Sequence, residues 1–408
     1  MKNILFSSLQ KFLQKKFIYF LLLFVFFNSC SAAPLPKTPV PQEAERKVFS
    51  TTTQLDPTPT VYLPLIVNTQ TSKFFGIYLK QYWTEDNVTP IMSELDNQTG
   101  KKHSSVGWFI DIEDDAFTIP VETLPNNNLF LQLESLWQDG YVSFINLGSR
   151  STIAEITNGT RDKEIGNVAR FYKAWIDQGE GRKALIAPLQ EMNGVFNSNG
   201  DTWTTYAGDP VKFIQAYKKI QEIFFQNGVN LSDVWWTFAP NGWSVAGHEF
   251  EKYYPGDDIV DVIGFSSYNY GYCFQGSTWE TYKEMLEPYI NRMETMAPGK
   301  PIIIAETATT SMFANSTPND NAKDQWLIDT YNYLAEKQSV VGVYYFSFSE
   351  FDDKACDFEI INIIPLEEEE PGIITGYNFD NFFTGYRAGI SNSKYQYLSA
   401  QEVNSLLH

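Results

Sequence analysis

The chain carries only three histidines, His103, His248 and His408, and no pair of them has zinc-binding spacing, which weighs against a metallohydrolase. No G-x-S-x-G occurs, so the common serine-hydrolase elbow is absent. There is no P-loop, and no glycine-rich phosphate turn follows an early strand, as a dinucleotide-binding sheet would require. Basic residues are also few. Lys and Arg number 30 against 49 Asp and Glu, a formal net charge of −19. That balance argues against nucleic acid or an anionic membrane surface as a partner, whereas a neutral polymer is compatible with it. Nothing in the inventory calls for a metal or another cofactor. Cysteine is limited to Cys30, Cys273 and Cys356.

What is present is apolar and aromatic. Hydrophobic residues make up 43% of the 408, and aromatics 16%. A core is easily built, with aromatics in surplus. The length suits one large barrel or two ordinary domains.

Residues 1–33 read as an export segment. Lys11, Lys15 and Lys16 precede the apolar run Phe17 to Phe27, and "NSCSAAP" follows. The run is short for a membrane-spanning helix. Cys30 after Asn28-Ser29 resembles a bacterial lipoprotein cleavage site. The expected location is outside the cytoplasm, secreted or lipid-anchored at the cell surface or periplasm, with membrane attachment through a lipidated Cys30. Residues 34–60, rich in Pro, Thr and Ser, read as a tether. Residues 61–408 form the body, with "VYLPLIV" adding a strand. Such a compartment permits a Cys273–Cys356 disulfide, and two separate thiols fit the sequence equally. The run Glu367 to Glu370 reads as a solvated loop.

From Phe74 onward one unit repeats: a short apolar run, a loop and a helix. The runs begin near residues 74, 106, 141, 184, 233, 261, 301 and 341. Helical spacing is clearest over 209–228, 279–299 and 321–338. Asp209-Pro210 reads as a helix start and Gly228 as its stop. Eight near-continuous apolar strands alternating with helices predict an α/β fold, a single (β/α)8 barrel.

Reactive groups in such a barrel gather at the carboxyl ends of the strands. Strand 4 ends in Gln190, Glu191 and Asn193, and strand 7 in Glu306. Each glutamate closes a run too apolar for a surface strand, and a charge there is costly unless it is used or paired. Strands 4 and 7 face each other across the mouth. Two carboxylates about 5 to 5.5 Å apart are the arrangement for retaining glycoside hydrolysis, and their repulsion would keep one of them protonated. Trp83, Trp203, Trp243, Tyr268 and Tyr270 fall in or near the loops after strands, where rings can stack on the C–H faces of sugars. Trp235 and Trp236 lie within strand 5, where alternation should bury at least one. Asp111 and Glu113, in "DIEDD", read first as a solvated loop and second as a contact to substrate hydroxyls.

"LQEMNG", "VWWTFAPN", "YYPGDDIVDVIGFSSYN" and "PIIIAETA" together resemble glycoside hydrolase family 26 over roughly Phe74 to Phe348. The resemblance implies a retaining barrel with Glu191 as acid/base and Glu306 as nucleophile. Tyr268 would orient Glu306, while Gln190, Asn193, Trp203, Trp243 and Trp83 would meet the polysaccharide or oligosaccharide substrate. Gln190 stands where family members usually carry His, and Phe348 where many carry Trp. The implied activity is endo-acting hydrolysis of β-1,4-mannan by a monomer, with β-1,3-1,4-glucan and β-1,3-xylan as rival substrates. Transglycosylation would share the intermediate, and a non-catalytic carbohydrate-binding barrel is the reading from another class.

Overall fold

The computed structural model describes residues 72–408 except 81–87, 119, 121–122, 124–126, 180, 198, 274–275, 315–316, 351–355, 368–373 and 381. The export segment with Cys30, the tether, "VYLPLIV" and Trp83 therefore lie outside the described residues.

Eight parallel strands close into a barrel. They are β1 (Phe74–Leu79), β2 (Ser105–Asp111), β3 (Val142–Gly148), β4 (Ala184–Pro188), β5 (Val234–Phe238), β6 (Val262–Asn269), β7 (Ile302–Thr309) and β8 (Val340–Ser347). Each pairs with its sequence neighbours, and β1 closes on β8 with Phe74 opposite Gly342 and Leu79 opposite Ser347. The outer layer holds α1 (Thr89–Thr99), α2 (Asn128–Gln138), α3 (Ile153–Thr157), α4 (Asp162–Ile176), α5 (Pro210–Gln226), α6 (Tyr282–Met296) and α7 (Asp320–Glu336). The Asp209 side chain accepts from the Lys212 amide with Pro210 at the first turn, and Gly228 follows the helix at φ 84°. Between β5 and β6 a 3-10 turn, Phe250–Tyr253, replaces the helix.

The apolar runs are continuous because both faces of each strand are buried, and the period of two separates those faces. Phe75, Ile77, Trp236 and Ile304 pack outward against the helices, whereas Phe74, Tyr78, Trp235 and Ile303 fill the barrel. Both Trp235 and Trp236 are thus buried. Large rings inside need small neighbours: a Cβ at Gly107 would come within 2.3 Å of the Tyr78 ring.

After β8 two strands, Asn362–Glu367 and Ile374–Asp380, pair antiparallel. Glu367 closes the first of them, and residues 368–370 lie outside the described residues. Helix α8 (Thr384–Ile390) then packs against α7. Helix α9 (Ala400–Leu406) follows, and Leu398, Val403 and Leu407 join Phe74, Val142 and Trp235 at the barrel floor. The Trp235 indole N–H donates to Asn404 at 3.1 Å. At the opposite end Cys273 and Cys356 form a disulfide with a Cα–Cα distance of 5.3 Å, joining the loop after β6 to the chain after β8.

Candidate active site

Strand β4 stops at Pro188, three residues short of Glu191. An extended strand was expected to deliver the carboxylate, but the chain turns there instead. Leu189 and Glu191 adopt φ of 54° and 52°, the left-handed region that residues with a Cβ seldom occupy. Backbone bonds hold the turn: the Leu189 amide donates to Leu147 O at 2.7 Å and the Glu191 amide to Ala239 O at 2.9 Å. The Tyr206 hydroxyl donates to Gln190 O at 3.1 Å. Asn193, expected to meet substrate, lies fully buried beneath this turn. Its Nδ2 donates to Asn241 O at 2.8 Å and its Oδ1 accepts from the Asn241 amide at 2.9 Å. Its amide is spent on positioning Asn241.

The turn aims Glu191 along the strand ends toward Glu306. Asn241 bridges to Ser266 of β6, and Ser266 stands in register with Glu306 of β7. Asn241 Nδ2 donates to Glu191 Oε1 at 3.2 Å, and Ser266 Oγ donates to the same oxygen at 2.5 Å. Two residues on, and so on the same face of β6, the Tyr268 hydroxyl donates to Glu306 Oε2. Asn146 of β3 donates through Nδ2 to Glu306 Oε1 and to the Tyr78 hydroxyl, both at 2.9 Å. One face of β6 therefore binds both carboxylates. Adjacent strands lie about 4.8 Å apart, so Ser266 reaches Glu191 from one strand spacing beside Glu306. Glu306 is 5% exposed.

Both charges reach the surrounding phenols. Burial, then Glu306 and also Glu191, pushes the Tyr268 hydroxyl well above the usual tyrosine range, so it stays a donor. Tyr78 is raised in the same way, by burial first and then by Glu306. Tyr206 is raised by burial, Asp111, Glu191 and Glu306. Beside the pair, the buried Oδ1 of Asn146 and Oε1 of Gln190 accept no hydrogen bond among the described residues. Unmet acceptors cost about 1–3 kcal/mol each, a cost that a ligand's hydroxyl groups would relieve.

Aromatic surfaces flank the pair. Trp203 and Trp243 stack with centroids 6.3 Å apart at 21°, and Trp243 is 47% exposed. Trp203 packs so closely on Gly194 that a Cβ there would fall 2.7 Å from its ring. The Trp243 amide donates to Asn241 Oδ1 at 2.9 Å, so the same asparagine that touches Glu191 sets this edge. On the other side Phe346 lies edge-on to Tyr268 and stacks on Phe348 at 4.5 Å. The sequence reading gave no role to Asn146, Asn241, Ser266, Tyr78 or Tyr206. Asn146 and Asn241 did stand at the ends of strands 3 and 5, a signal that places them at the mouth without assigning them a task, and Ser266 left its two-residue spacing from Tyr268.

Asp111, Glu113 and Asp114 do not form the freely solvated loop expected of them. They surround Arg150, whose Nη1 lies 3.5 Å from Asp111 and 3.1 Å from Asp114 and whose Nη2 donates to Glu113 O at 2.6 Å. Burial, helped by Asp114 and Glu113 and opposed by Arg150, pushes the Asp111 carboxyl up to about 7. A carboxyl raised on folding favours the folded state while protonated, and that contribution is lost as pH climbs from about 4, the unfolded value, to about 7. Asp111→Asn is therefore expected to melt close to the parent at pH 4 and above it at pH 8. Thermal melts across that range test this, and a pH-independent difference would contradict it.

An eight-stranded barrel presenting two glutamates at the ends of its fourth and seventh strands is the frame of a large class of glycoside hydrolases. Residues 157–335, which contain both glutamates, match the model for Glycosyl hydrolase family 26. Endoglucanase H of Acetivibrio thermocellus is 29% identical over 182 residues, 44% of this chain and 18% of that protein. The chain thus spans under a fifth of that relative's length. The catalytic domain of a Bacillus sp. GH26 endo-β-1,4-mannanase shares the fold with TM-score 0.55 and 14% identity, covering 82% of this chain and 89% of that one. The GH26 domain of an endo-β-mannanase/endo-β-glucanase from Prevotella bryantii gives 0.50 and 16%, covering 70% and 88%.

Proposed function

We propose that the protein is a retaining, endo-acting β-glycoside hydrolase. The observation that carries this is the shared face of β6, where Ser266 binds Glu191 and Tyr268 binds Glu306. Glu306 attacks the anomeric carbon while the bond to the leaving oxygen breaks, and Glu191 gives that oxygen its proton. Glu191, now a carboxylate, takes a proton from water. The water oxygen attacks the same carbon and releases Glu306. Asn146 and Tyr268 hold the two oxygens of Glu306 apart and in place. Gln190 and Asn146 supply free acceptors for sugar hydroxyls, and the Trp203–Trp243 edge supplies a stacking surface beside the leaving group.

β-1,4-Mannan is the proposed polymer. A β-glucan is the second reading, favoured by the name of the Acetivibrio relative. Export, membrane attachment through Cys30, and action as a monomer belong to the same proposal. The test is a panel of β-mannan, mixed-linkage glucan and β-1,3-xylan, with proton NMR of the first product. A β-configured reducing end released early from one polymer is the expected result. An α-configured first product would overturn retention, and binding without cleavage of any polymer would favour the carbohydrate-binding barrel.

A further inference from the structure

Tyr268 meets Glu306 only if its ring is kept from swinging away. The Phe358 ring lies nearly parallel to it, centroids 5.7 Å apart at 18°, with Phe346 edge-on at 5.5 Å and 81°. Phe358 is fully buried, and its ring partners among the described residues are Tyr268 and Tyr270. What fixes Phe358 is a short strap, residues 356–359, tied down at several points. Cys356 is bonded to Cys273, five residues past Tyr268, so one covalent link joins the segment with the tyrosine to the segment with its cover. Asp357 Oδ1 accepts from the Ser311 amide at 2.8 Å and from the Thr310 hydroxyl, both just past the end of β7. The Tyr345 hydroxyl donates to Phe358 O at 2.9 Å. Lys323 of α7, fully buried, donates to Asp357 O and to Glu359 O, the latter at 2.8 Å. Its ammonium lies 3.7 Å from Asp357 Oδ2 and 4.1 Å from the centre of the Phe383 ring. Burial lowers the Lys323 amine to about 8. A desolvated cation is costly to keep, and here it is used to hold backbone carbonyls of the strap.

We infer that Phe358, pinned by the Cys273–Cys356 disulfide and by Lys323, is a positioning residue that acts on Glu306 through Tyr268. The inference rests on the proposed role of Glu306 as nucleophile. With the Phe358 ring removed, Tyr268 gains room and donates less well to Glu306 Oε2. The carboxylate then loses a bond that favours its charged form and holds its proton more tightly.

Phe358→Leu is expected to lower kcat by roughly 10- to 100-fold, the range for a slight misplacement of reacting groups, with little change in KM. The acidic limb of its pH–rate profile is expected to move up by about half a unit to one unit. In a Tyr268→Phe background the same substitution should cost little, because the group it acts through is already gone. Equal losses in both backgrounds would make Phe358 merely structural and overturn the inference. Cys273→Ser with Cys356→Ser keeps the ring but cuts the tether, and serves if Phe358→Leu does not fold. It should shift the limb in the same direction by less, and an unmoved limb would count against the strap. Carboxyl carbon NMR of labelled Glu306 reads the same proton affinity without turnover. If the parent cleaves none of the glycans, the functional proposal fails, while a raised Glu306 titration in Phe358→Leu would still support the positioning and an unchanged one would overturn it.

Discussion

Glu306→Ala is expected to lose hydrolysis of its polymer by on the order of 10^4- to 10^6-fold while still folding. On the proposed reading the residue supplies the bond-forming oxygen, and neither neighbour can replace it. Asn146 and the Tyr268 hydroxyl donate to Glu306, and neither is a nucleophile at neutral pH. The space left lies beside the anomeric carbon. Added azide should enter it, attack from that side, and restore part of the rate while forming a glycosyl azide of inverted configuration. The measurement is turnover with and without azide, with product configuration by NMR. Retention of more than about a hundredth of parental activity would remove Glu306 from this role.

Glu191→Ala should behave differently on different leaving groups. On a polymer, whose leaving alcohol needs a proton, the loss should reach about 10^2- to 10^4-fold, the usual worth of general acid catalysis. On an aryl glycoside with an acidic phenol the first step should be little affected. The second step, which needs the base, should stall, so the glycosyl-enzyme accumulates as a burst. Azide then attacks that intermediate and gives a product of retained configuration. The two alanine variants are thus distinguished by azide adducts of opposite hand. Equal losses on both substrates for Glu191→Ala would defeat its assignment as acid and base.

Much of the barrel was legible because period and composition agree. Strands buried on both faces read as continuous apolar runs, and all eight fall where such runs were found. Both glutamates stood out as charges closing those runs. What did not read was anything set by contacts distant in sequence. Asn146 is 160 residues from Glu306, and Ser266 is 75 from Glu191. No local pattern marks such a pairing. Asn193 looked exposed because it follows a glutamate at a strand end, yet the turn at Leu189 and Glu191 rotates it downward. Left-handed backbone at residues with a Cβ has no signature in composition, so the end of β4 was the element misjudged. The disulfide was open for the same reason. Its cysteines are 83 residues apart, and only the closed barrel brings the ends of β6 and β8 together.

The floor of the barrel carries a consequence for biosynthesis. Phe74 and Trp235 belong to the first and fifth strands, but Leu398, Val403 and Leu407, which cover them, are translated only after all eight strands. On a ribosome the cylinder can close its wall and still stand open at its base, with an indole exposed. A truncation before residue 398 would hold the chain in that uncorked state, a surface on which nascent copies can adhere to one another.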